Sequence, residues 1–132
     1  VKIWPVRWGN TPQNALSEDN PQDIPIIERL LENPQMDRQP DIHFHIVVPN
    51  EFQPVAKFNI GITAGLETTV CPPTWIEGLN RMNLNIVPAK FIKETLDKIV
   101  FDKHDQNTKQ KEGLLSGPFL CQAWGRSMVE ER

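Results

Sequence analysis

Residues 58–101 read FNIGITAGLETTVCPPTWIEGLNRMNLNIVPAKFIKETLDKIVF, and the fold is decided by how this stretch is divided. FNIGITA (58–64) alternates, with Phe58, Ile60 and Ile62 on one face, as a strand does. PTWIEGLNRM (73–82) follows as a helix: Pro73 suits a first turn, and Trp75 or Ile76, Leu79 and Met82 mark an inner face. LNIVP (84–88) is a short strand closed by Pro88. AKFIKETLDKIVF (89–101) is an amphipathic helix through Phe91, Ile92, Leu96, Ile99 and Val100. Upstream, DIHFHIVV (41–48) repeats the two-residue period. Ile42, Phe44, Ile46 and Val48 alternate with His43, His45 and Val47 until Pro49 intervenes. Strand, strand, helix, strand, helix with short connections predicts an α/β domain built on a parallel sheet.

The flanks are less regular. VKIWPVRW (1–8) is extended but broken by Pro5, and residues 9–22 read as a polar surface loop. A helix is expected over 23–33, with Asp23 as N-cap, Pro25 in the first turn, Ile26, Ile27, Leu30 and Leu31 on one face, and Pro34 as its stop. Residues 102–113 are polar, and the remainder to Arg132 has no clean period, so 102–132 reads as a C-terminal extension of one domain spanning 1–132.

Composition removes several function classes. Hydrophobic residues make up 39% and charged residues 23%, the balance of an ordinary globular domain. The net charge of −3 comes without a basic block, which argues against nucleic acid as a partner. No apolar run reaches the roughly 20 residues of a membrane helix. Cys71 and Cys121 fit no metal or redox spacing, and with no export signal they are expected as free thiols in a cytoplasmic setting. The chain begins with Val, and its first residues are already apolar, as in a piece of something longer.

The segments PNEFQP, NIGITAGLETT and PPTWIEGLNRMNLNIVPAKFIKETL together resemble the N-terminal, acceptor-side half of a two-Rossmann-domain (GT-B) glycosyltransferase, family 4-like. The shared order is a glycine turn (Gly61 or Gly65), Glu67, Pro73, the Trp75 helix with its late Asn80, and the Val87–Pro88 turn that opens the next helix. It covers about residues 40–100. Asn83 stands where the family often has aspartate, and Ala89 where serine usually follows Val-Pro. The resemblance implies a Rossmann-like, three-layer parallel sheet, incomplete as half of a GT-B fold, and transfer of a hexosyl group from a nucleotide-sugar donor to a sugar acceptor. It also implies a second domain that binds the donor and carries two glutamates separated by seven residues. No such pair occurs in this sequence. Taken alone, the chain should position an acceptor and not transfer sugar.

Candidate site residues follow. Glu67 and Glu51 are the candidate catalytic carboxylates, and Gly61, Thr63, Gly65 and Asn80 the candidate substrate contacts. The glycines have a second reading, a turn that needs positive φ or close packing. Glu51 follows a strand end, where ligands of open α/β sheets gather, or else caps the turn after Pro49. His43 and His45 point the same way and could offer two imidazoles to one metal; for a third ligand Glu51 and Asp41 are the only close candidates and Cys71 is remote, and no metal and no cofactor are expected. Donor and acceptor are partners only if a second domain exists. The alternative is a non-enzymatic α/β domain, whose truncated sheet would leave an apolar surface for a homo-oligomer or another protein.

Overall fold

The computed structural model describes residues 1–7, 9–65, 70–104, 111–118 and 121–123. They form two compact units, Val1–Arg38 and Gln39–Arg132. Among the described residues no helix is long and apolar enough to cross a membrane.

In the first unit the expected helix over 23–33 is a single turn, α1 (Ile24–Ile27). Two interactions account for the shortening. The Asp23 carboxylate makes no cap and instead accepts the Ser17 N–H at 3.0 Å. Beyond Glu28 the chain is recruited by Ile3, which donates to the Arg29 carbonyl and accepts from the Leu31 N–H, both at 2.8 Å. That bridge of Ile3 with Leu30 outcompetes continuation of so short a helix.

The second unit is α/β. Strands β1 (Ile42–Ile46), β2 (Phe58–Ile62), β3 (Leu84–Val87) and β6 (Cys121–Ala123) make one parallel sheet in the order β1-β2-β3-β6. Among the described strands the order never reverses. A 3-10 turn (Pro49–Glu51) follows β1, helix α2 (Pro73–Asn80) joins β2 to β3, and α3 (Lys90–Lys98) follows β3. Between α3 and β6 lies an antiparallel pair, β4 (Val100–His104) with β5 (Lys111–Ser116). The polar composition of 102–113 concealed this pair. One margin of it is held by the Lys111–Asp102 ion pair at 2.6 Å.

The sheet buries the face that looks polar. Asn59, Gly61, Asn85, Val87 and Cys121 are buried, with His43 and His45 half-buried beside them. Phe52, Ile76 and Leu79, all fully buried, are the largest apolar side chains of the core. Two glycines permit the packing. A side chain on Gly61 would meet the Phe52 ring at 2.6 Å, and one on Gly78 would meet the Pro49 carbonyl oxygen at 1.8 Å. Arg81 fixes the same junction from the end of α2, donating to the Phe52 carbonyl at 3.1 Å and the Asn50 carbonyl at 2.9 Å. The opposite face keeps its apolar side chains outward: Ile42, Phe44 and Ile46 are each more than half exposed.

Candidate functional site

The register aligns Ile46 with Ile62 and Ile62 with Ile86, so three chains leave the sheet at one level. The ladder runs one residue further, with Val47 N–H donating to the Ile62 carbonyl at 3.3 Å and Thr63 N–H to the Ile86 carbonyl at 3.2 Å. Above it opens a recess of about 440 Å³ lined by Ile46, Ile62, Thr63, Ala64, Ile86, Val87 and Pro88. Carboxyl ends of parallel strands are where open α/β sheets bind ligands. The floor here is apolar, with one buried threonine at its margin.

The sequence-predicted residues divide around this recess. Thr63 lines it, and Gly65 closes the segment leaving β2 in the left-handed region (φ +82°). A side chain on Gly65 would also lie 2.6 Å from Ile92 of α3, so both conformation and packing require glycine. Gly61 lies one residue before the end of β2, under Phe52. Glu51 is exposed at the end of the 3-10 turn, its N–H donating to the Val48 carbonyl at 3.0 Å. Asn80 is engaged elsewhere: its amide donates to the Ser116 carbonyl at 3.0 Å, tying α2 to β5. Glu67 lies outside the described residues. Ile46, Ala64 and Pro88, which complete the recess, were not singled out as site residues. Their signal was the shared strand level, which appears only once the register is known.

His43 and His45 share the covered face with ring centroids 5.1 Å apart. His45 Nδ1 accepts the Gln53 N–H at 3.2 Å, and its ring lies 5.9 Å from that of Phe52. His43 Nδ1 is buried without a hydrogen-bond partner. Among the described residues no group of three His, Cys, Asp or Glu could hold a metal ion. Burial lowers the pKa of both rings, for His43 against an opposing pull from the Asn59 side chain, and for His45 reinforced by His43. Between the ordinary value of 6.5 and the lower folded values, the unfolded chain binds more protons than the folded one. Stability is therefore complete above the ordinary value and is lost as pH falls through this window. Thermal midpoints measured from about pH 7.5 down to about pH 5 should fall, and His43→Gln with His45→Gln should flatten the slope.

Cys71 and Cys121 are both buried and free. Burial raises both thiols, Cys121 to about 11, so neither is a thiolate at neutral pH. Set against protein-family models, curated proteins and solved structures, the chain matches none, and the reading of this recess rests on its own residues.

Proposed function

We propose that the chain is the acceptor-side domain of a glycosyltransferase-like protein, a Rossmann-like half whose recess at the ends of β1, β2 and β3 receives a sugar acceptor. The observation that carries this reading is convergence. The segments with the resemblance, NIGITAG and the Val87–Pro88 turn, border one recess, and the PNEF segment follows the strand beside them. An apolar floor suits the C–H face of a pyranose, and Thr63 is the one side chain with a hydroxyl that lines it.

Two features support assigning the donor to another domain. A nucleotide crevice in an open α/β sheet forms where strand order reverses, and β1-β2-β3-β6 runs without reversal. The recess is also lined without a single lysine or arginine to neutralise a diphosphate. The departure at Asn83 is physically mild, because its Oδ1 accepts the Asn59 N–H at 2.8 Å, as an aspartate oxygen would. The departure at Ala89 is not neutral: α3 starts from it in extended conformation with no side-chain cap.

Ligand-observed NMR against a panel of mono- and oligosaccharides tests the proposal. Saccharides are expected to bind at about 1 mM, roughly −4 kcal/mol, as suits a shallow single-domain site. Thr63→Val should weaken binding by about fivefold, the loss of one neutral hydrogen bond at the recess. Nucleotide sugars should gain nothing from their diphosphate. Silence toward every saccharide, or binding that Thr63→Val leaves intact, removes the assignment.

A further inference from the structure

The uncovered face of the sheet is a second feature, which shares Ile46, Ile62 and Ile86 with the recess, so a partner on this face and a saccharide in the recess would compete. Side chains at even positions of β1 and β2 share it by register: Ile42 pairs with Phe58, Phe44 with Ile60 and Ile46 with Ile62. Ile42, Phe44, Ile46 and Phe58 are 57%, 58%, 59% and 41% exposed, and in the strand order β1 is an edge. Parallel strands ordinarily have both faces covered, and their near-continuous apolar composition reflects it. Here the covered face carries histidines and asparagines, while on the apolar face Ile42, Phe44, Ile46 and Phe58 meet solvent and Ile60 among them is buried.

We infer that this face is an interface between two copies of the chain, packed sheet to sheet about a two-fold axis. Area and charge argue for a second copy. The four half-exposed side chains offer on the order of 100 Å² each, and the partly exposed Ile62 and Ile86 bring the patch to roughly 500 Å². Two such patches bury about 1,000 Å², the lower bound for a specific interface. An isologous contact sets a patch against itself, so any net charge on it would repel its own image. No residue of the patch is charged, and the flanking Lys57 and Asp41 neutralise each other at 2.7 Å. Stacked sheets approach to about 10 Å, a distance these isoleucine and phenylalanine side chains fill.

Sedimentation equilibrium of the chain tests this directly. At about 100 µM, a hundred times a micromolar Kd, the expected mass is twice the 15.2 kDa of the monomer. Phe44→Glu should raise the dimer Kd at least about a hundredfold, through a desolvated charge at the patch centre. The side chain is exposed in the single chain, so circular dichroism should show the fold retained. Ile46→Lys provides a second disruption with the opposite charge, and Thr74→Glu, on an exposed position of α2, should leave dimerisation unchanged. A monomer at this concentration overturns the inference, as does a dimer indifferent to both Phe44→Glu and Ile46→Lys. A monomer whose face binds an apolar dye, with binding lost in Phe44→Glu, also overturns it and gives the face to a different chain.

Discussion

Gly78→Ala is expected to destabilise the Gln39–Arg132 unit by about 3 kcal/mol or more, although alanine is the better helix former by roughly 1 kcal/mol. The two effects have opposite sign, and geometry decides between them. An added Cβ would lie 1.8 Å from the Pro49 carbonyl oxygen and 2.4 Å from its carbon. Both are backbone atoms, so no rotamer change relieves the overlap. Either α2 slides or the 3-10 turn lifts, and both movements stretch the Arg81 bonds to Asn50 and Phe52. The turn also carries Phe52, the fully buried ring that covers Gly61. Urea unfolding should show the loss as a lower midpoint, and thermal unfolding as a drop of about 10–20 °C. Gly113→Ala is the control: nothing lies within 4 Å of its Cβ position, and it should be neutral or mildly stabilising. A Gly78→Ala protein as stable as the parent would mean that α2 does not rest on the Pro49 turn.

The parallel sheet was legible because proline and period agreed. Pro49, Pro73 and Pro88 bound the elements, and the alternation in 41–48 and 58–64 fixed strand type before any pairing was known. Helix α2 begins at Pro73 as expected and α3 one residue after Ala89, and they end two and three residues earlier than expected. The β4–β5 pair was not legible. Its partners find each other across a polar stretch, and cross-strand pairing leaves no local period in lysine-, aspartate- and glutamine-rich sequence. The helix expected at 23–33 failed for a related reason, since its last turn was claimed by Ile3, a residue distant in sequence.

Orientation of the sheet was the deeper difficulty. Alternation says which residues share a face but not which face is covered. In β1 the apolar set is the exposed one, although Ile60 of β2 is buried. The other set carries Asn59, whose amide is fully engaged inside, and Asn85, whose Nδ2 donates to the Leu79 carbonyl at 2.9 Å while its Oδ1 is buried without a partner. Of the candidate site, Thr63 and Gly65 lie just past the end of β2, a position legible because a strand's carboxyl end can be located from period alone. Asn80 was a candidate contact through the resemblance alone, and its partner, Ser116, belongs to the strand pair that sequence did not reveal.

Asn59 shows what makes the polar face the inner one, and Asn59→Leu should be nearly as damaging as Gly78→Ala. The residue is 4% exposed. Its Oδ1 accepts the N–H groups of Val55 and Ala56, both at 2.9 Å, and its Nδ2 donates to the Ala56 carbonyl at 2.9 Å. One side chain thus satisfies three backbone groups of the connection between the 3-10 turn and β2. Leucine matches the volume but offers no partner, leaving those groups unpaired at roughly 1–3 kcal/mol each, less where water reaches Val55. A net loss of about 3 kcal/mol is expected in urea unfolding. Amide exchange at Val55 and Ala56 should accelerate by at least about a hundredfold, because their bonds are gone even in the folded state. Asn83→Ala is the graded comparison. Asn83 is exposed and accepts the Asn59 backbone N–H at 2.8 Å, a bond that water can replace, so its loss should stay near 1 kcal/mol. If Asn59→Leu proved as mild as Asn83→Ala, the amide would not be what holds this face inward. The outward isoleucines and phenylalanines of β1 and β2 would then need another cause.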